Sequence, residues 1–117
     1  MMIDARSITR RVIDAFNSNR RVIVNVGLPL VRDSAIARQL SGFVVRIAES
    51  VLRQTKIAGV FAEGGATSAE LVRSMGWARL TVQRELAPGV AALAVEGDES
   101  TLLTIKPGTY AWPAKWT

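Results

Sequence analysis

Apolar residues recur along the first half of the chain at the three- and four-residue spacing that is typical of helices. The segment Ile3–Asn17 places four of them on one face: Ile8, Val12, Ala15 and Phe16. A longer helix is predicted from Asp33-Ser34 to about Gln54, where the apolar stripe consists of Ile36, Leu40, Phe43, Ile47 and Val51. Two amphipathic helices are therefore expected before residue 55.

Short apolar runs bounded by turn residues predict strands. Residues Arg21–Val26 predict a buried strand between the two helices, and Ile57–Ala62 predict a buried parallel strand. A third helix is predicted from about Ser68 to Met75. Three more strands follow, at Arg79–Leu86, Ala91–Val95 and Thr101–Ile105. The order helix, strand, helix, strand, helix and three strands predicts an α/β layered fold with a mixed sheet.

Composition narrows the functional classes. The 117 residues are 49% hydrophobic and include neither Cys nor His, so residues 1–117 are expected to form one domain without disulfides, a Cys or His zinc site, a thiol nucleophile or a Ser-His-Asp triad. A metal site made only of carboxylates is left open, although none is predicted. The chain has neither an apolar run long enough to span a membrane nor a secretory signal, which predicts a soluble, cytoplasmic protein.

The net charge of +5 is unevenly distributed. Residues 1–60 contain ten basic and four acidic side chains, whereas residues 61–117 contain five and six. The arginines are scattered at helical spacing, so a solvated helix face is a better explanation than a nucleic-acid surface. We expect neither a nucleic acid nor a membrane as a partner.

The junction between the second predicted strand and the third helix is the first candidate site. Gly64 and Gly65 allow close backbone approach, and Thr67 and Glu70 have the spacing of a capping box that would start the helix at Thr67. The first amides of such a helix favour a phosphate or carboxylate. An ordinary strand-to-helix turn with a good cap is the alternative.

A second candidate follows the last predicted strand, in the run from Lys106 to Tyr110. Lys106 and the adjacent glycine and hydroxyl groups could complete a phosphate site, or they could form only a Pro-Gly turn with a solvated lysine. Tyr110, Trp112 and Trp116 either stack on a base or, as we prefer, pin the C-terminal tail to the core.

Taken together, these segments resemble a known family. The runs GVFAEGGATSAELVRSMGW, LTVQRELAPGVAAL and LLTIKPGTYAWP look like the C-terminal nucleotide-binding domain of four-carbon acid sugar kinases, which include threonate, erythronate and 3-oxo-tetronate kinases. The resemblance implies binding of ATP with Mg²⁺ and contacts from five residues in two motifs: Gly64, Gly65, Ala66, Thr67 and Gly108. It also implies a possible phosphate contact from Lys106, and it identifies no catalytic residue.

Two departures from the family pattern shape the functional expectation. The family usually has Asp or Glu where this sequence has Ala66, and we expect that the sugar-acid domain and the strand before the first helix are absent. We therefore expect a fragment, a split gene product or a decayed relative that phosphorylates a sugar acid only with a partner domain. The alternative is a non-catalytic oligomerisation or interaction module that retains the fold, and in either case we expect a homo-oligomer.

Overall fold

The computed structural model describes residues 4–24 and 34–106. Its elements, in chain order, are α1 (Ala5–Asn19), α2 (Ser34–Gln54), β1 (Gly59–Glu63), α3 (Gly65–Met75), β2 (Leu80–Ala87), β3 (Val90–Val95) and β4 (Asp98–Lys106). They fall into two compact units, a helical unit (Met1–Lys56) and a sheet unit (Ile57–Thr117). The expectation of one domain over residues 1–117 stays a prediction.

The helical unit begins with a capped helix. The side chain of Asp4 accepts a hydrogen bond from the Arg6 amide at 3.0 Å, which satisfies one of the free donors of the first turn of α1. Arg20 ends the helix in the left-handed conformation, with φ +63°. The helix therefore lies two residues further along the chain than its apolar spacing predicted.

Helix α2 begins and ends as predicted, from Ser34 to Gln54. It packs against α1, and Val45, Ile47 and Val51 are buried. Ile47 and Val51 belong to the predicted apolar stripe, whereas Ile36, at the start of that stripe, is exposed. The stripe therefore forms a core mainly in the second half of the helix.

The strand predicted at Arg21–Val26 is not found in its described part. Residues 21–24 have no regular structure, Ile23 is 83% exposed, and residues 25 and 26 lie outside the described residues. An extended run forms a strand only where a neighbouring strand pairs with its backbone groups, and elsewhere water can satisfy them. The described sheet consists of β1 to β4 paired with one another, and none of these strands pairs with residues 21–24.

The sheet unit has the strand order β1-β4-β3-β2. Strands β1 and β4 are parallel, while β3 is antiparallel to both β4 and β2. The core contains fully buried side chains from β3 and β4, including Val90, Val95 and Leu103. The prediction of an α/β fold with a mixed sheet is confirmed, and the element order from α2 onward is the predicted one.

Candidate functional site

The parallel pairing of β1 with β4 brings the two candidate motifs together. Glu63 and Lys106, the last residues of the two strands, are paired in the register of the sheet. The amide of Gly64 then donates a hydrogen bond to the Lys106 carbonyl at 2.9 Å. The Gly-Gly turn and the lysine therefore lie together at the carboxyl ends of these two strands. We call this end of the sheet the β1–β4 edge (Glu63, Gly64, Gly65 and Lys106).

Helix α3 begins at this edge, two residues earlier than the capping-box spacing predicted. Its N-cap is Gly64, with φ +94°. This backbone conformation is strained for any residue that has a side chain. The Gly64 carbonyl accepts hydrogen bonds from the Ser68 amide at 3.1 Å and from the Ser68 hydroxyl at 2.7 Å. The first turn therefore closes on Gly64, and Thr67 is the third residue of the helix rather than its cap.

The N-terminus of α3 is open to a ligand. The cap residue is glycine, which has no side chain that could cap the first amides. Gly65 and Ala66 are exposed, and a Cβ placed on Gly65 would meet no atom within 4 Å. Amides at a helix N-terminus carry a partial positive charge that favours an anion. The position therefore offers donors, a favourable dipole and space.

Lys106 adds a full positive charge beside this helix start. The residue is only 1% exposed, and its Nζ lies 2.6 Å from Oε1 of Glu63, whose side chain is 55% exposed. A buried ammonium requires such a counter-charge, because removing it from water costs several kcal/mol. The ion pair places the Lys106 ammonium in direct contact with the Glu63 carboxylate at the β1–β4 edge.

The structure groups the predicted site residues up to Lys106, and those beyond it lie outside the described residues. Gly64, Gly65, Ala66, Thr67 and Lys106 lie at the end of β1 and β4 or in the first turn of α3. Gly108 and the aromatic residues Tyr110, Trp112 and Trp116 lie outside the described residues. Whether the grouped residues contact a nucleotide stays a prediction.

Glu63 is the residue that sequence reasoning missed. It directly precedes the Gly-Gly turn, but a glutamate there has no evident role until β1 and β4 are known to be parallel neighbours. Once that pairing and its register are given, Glu63 and Lys106 must lie side by side. Glu63 could not be identified from the sequence, because the spacing of apolar residues does not indicate which strands pair.

The residues at the β1–β4 edge suit a nucleotide better than a metal ion alone. Among the described residues, no three Asp or Glu side chains are grouped so that they could hold a metal. Mg²⁺ commonly binds through substrate phosphates with one or two carboxylates. The fit is therefore to a phosphate chain that would bring its own Mg²⁺.

Several basic side chains of the first half have partners within the helical unit. A cleft between α1 and α2 is lined by several arginines, among them Arg10, Arg46 and Arg53. Arg10 pairs with Asp14 at 3.6 Å, Arg53 pairs with Glu49 at 3.4 Å, and Arg46 lies over the Phe43 ring. These local partners are consistent with a solvated helix face. None of the helices in the described ranges has the length and apolar character needed to cross a membrane.

Comparisons with known proteins identify the family and the fold of the chain. The family model described as the nucleotide-binding C-terminal domain matches residues 7–110. The chain is also similar to the crystal structure of the Haemophilus influenzae protein HI1011, of the family model DUF1537, with a TM-score of 0.74 and 22% identity. No curated protein gives a significant match.

That similarity covers 92% of this chain but only 28% of the Haemophilus influenzae protein, and at this identity it supports the fold alone. The family match is independent of it and spans most of the chain, including both candidate motifs up to residue 110. The resemblance stated from the sequence is confirmed: the chain belongs to the family of nucleotide-binding C-terminal domains.

Proposed function

We propose that the chain is the ATP-binding domain of a four-carbon acid sugar kinase and that the nucleotide phosphates bind at the β1–β4 edge. The observation that carries the proposal is the juxtaposition of an open helix start with a buried lysine across two parallel strands. Ligands of α/β folds commonly bind at the carboxyl ends of parallel strands. The family match supports a nucleotide as the ligand class.

Each group at the β1–β4 edge has a distinct part in the proposed binding. The first amides of α3 would donate to phosphate oxygens, and the dipole of the helix would contribute about 0.3–1 kcal/mol. Lys106 would supply a charge-assisted contact, which is roughly twice as strong as a neutral hydrogen bond. Gly65 would let the phosphate approach the backbone, because a Cβ at this position would meet no atom of the described residues within 4 Å.

Isothermal titration of the chain with ATP–Mg tests the proposal. We expect a saturable heat of binding with affinity in the millimolar range, because the groups named at the β1–β4 edge would contact only the phosphates. Absence of saturable binding at concentrations able to detect millimolar affinity would contradict it.

Phosphorylation is proposed to require a second domain that binds the sugar acid. Phosphoryl transfer depends on positioning the acceptor hydroxyl in line with the transferred group. The β1–β4 edge offers groups for the donor phosphates, and we identify no group for the acceptor in the described residues. The specific sugar acid is left unassigned.

The chain alone is therefore expected to show no kinase activity. A coupled assay of ADP release with a panel of four-carbon acids should stay at the background of a protein-free control. A rate that is proportional to the concentration of the purified chain, and that depends on one of the acids, would require an acceptor site within the 117 residues.

A non-catalytic oligomerisation module is the second candidate, and the surface of the sheet unit favours it. Phe61 and Leu102 are partly exposed on neighbouring strands, and Val82 is 65% exposed on β2. Strands at the edge of a sheet and exposed apolar side chains are both prone to pairing with another chain. The two candidate functions are compatible, since a dimer could retain the β1–β4 edge.

We expect a homodimer. A two-fold interface that buries about 1,000 Å² would be sufficient for stable association. The net charge of +5 opposes this, but screening over about 8 Å at physiological salt limits the repulsion. Sedimentation velocity over a concentration series should show a species near twice 12.7 kDa; a single species of 12.7 kDa at every concentration would contradict the prediction.

A further inference from the structure

The ion pair at the β1–β4 edge is asymmetric in its exposure to solvent. Lys106 is almost completely buried, whereas the side chain of Glu63 is more than half exposed. The distance of 2.6 Å between Nζ and Oε1 places the carboxylate in direct contact with the ammonium. An anion that approaches this ammonium from the side of Glu63 therefore meets the carboxylate first.

We propose that the Glu63 carboxylate occupies the position at Lys106 that a phosphate oxygen of the ligand takes when the nucleotide is bound. This inference rests on the proposed function and deepens it. In the ligand-free domain Glu63 neutralises the buried lysine, and on binding its side chain turns into solvent and leaves Lys106 to the phosphate. Glu63 is thus an internal competitor of the ligand.

The charges of the three groups explain why the carboxylate has to leave. Glu63 and a phosphate are both negative, so they repel each other if both lie within contact distance of one ammonium. Lys106 is held in place by burial, whereas the more exposed carboxylate has room to change rotamer, and the phosphate then replaces it as the counter-charge of the ammonium. Since the ligand must first displace the carboxylate, its apparent affinity is reduced by the fraction of molecules in which Lys106 is available.

Neutralising Glu63 should therefore tighten binding. In Glu63→Gln the amide keeps the size of the side chain and loses the charge that competes with phosphate. We expect ATP–Mg and inorganic tripolyphosphate to bind about three- to tenfold more tightly, which corresponds to an available fraction of about 10–30% in the unmodified chain. Damage to the fold would weaken binding, so a gain in affinity is a readout that a merely structural role of Glu63 would not produce.

The control variant removes the same charge elsewhere in the sheet unit. Glu96 also forms an ion pair, with Arg79 at 3.8 Å, and its side chain is exposed to a similar degree. Glu96→Gln changes the net charge by the same amount and should leave both affinities unchanged. The double variant Glu63→Gln/Lys106→Met should lose the gain in affinity for both ligands. If Glu63→Gln fails to fold, Glu63→Asp, which keeps the charge but draws it back from Nζ, should give a smaller gain.

The titrations separate this inference from the proposed function. Equal ATP–Mg affinity of Glu63→Gln and the unmodified chain, or weaker binding by Glu63→Gln, would overturn the competitor role while leaving nucleotide binding intact. Tighter tripolyphosphate binding by Glu63→Gln, with no binding of ATP–Mg to any variant, would support the competitor role and contradict the nucleotide function. No binding of either probe to any variant would overturn both.

Discussion

Replacing Gly65 with valine is expected to abolish detectable binding of ATP–Mg while leaving the fold intact. A Cβ at this position meets no protein atom within 4 Å, so the bulk of the valine extends into the space assigned to the ligand. Valine has a helix propensity no worse than that of glycine, so the first turn of α3 should form as before. A loss of at least tenfold, or about 1.4 kcal/mol, is expected in isothermal titration.

Gly59→Val provides the matched control for this variant. Gly59 begins β1, about 13 Å from Glu63 at the rise of a strand, and its Cβ would lie 3.5 Å from the Phe61 ring, an ordinary contact. The affinity of Gly59→Val for ATP–Mg should equal that of the unmodified chain. Unchanged binding by Gly65→Val, with a circular dichroism spectrum that confirms the fold, would place the nucleotide elsewhere.

Substitutions of the two partners of the Glu63–Lys106 ion pair are expected to change the free energy of unfolding by different amounts. Glu63→Gln leaves a buried ammonium without its carboxylate, which costs about 1–3 kcal/mol. Lys106→Met leaves a carboxylate that is already more than half exposed, and it fills the buried position with an apolar chain of similar length. Replacing a buried charge in this way is often neutral or stabilising.

Urea unfolding of the two variants measures the difference. The midpoint for Glu63→Gln should fall clearly below that of the unmodified chain, while the midpoint for Lys106→Met should change by much less, with similar slopes in all three. Equal destabilisation by the two substitutions would mean that Lys106 depends on contacts other than its pairing with Glu63. The comparison is made without nucleotide, because ligand binding would add its own stabilisation.

The helices and the later strands of this fold are readable from local sequence patterns. The stripe of α2 locates a helix whose ends agree with the structure, and the strands β2 to β4 lie close to their predicted positions. The Arg21–Val26 run is the exception, because apolar character alone does not guarantee a pairing partner. Ile23 is exposed in a segment without regular structure.

The candidate site depended on information of two kinds. Glycine spacing located the turn before α3, although the Thr67 capping box misplaced the helix start by two residues, because the closing contacts of Ser68 with the Gly64 carbonyl are not visible in a motif. Lys106 lies beside this turn because β1 and β4 pair in parallel, and this contact joins residues that are far apart in the sequence. Glu63 became visible as a site residue only through that pairing.

The central claim is that the β1–β4 edge binds the nucleotide phosphates, and chemical-shift mapping by NMR tests it most directly. In a titration of the ¹⁵N-labelled chain with ATP–Mg, the largest amide shifts should occur at Gly64, Gly65 and Ala66, while residues at the start of β1 and on α1 stay unchanged. Saturable shifts that concentrate on α1 and α2 and spare the Gly64–Gly65 turn would contradict the account.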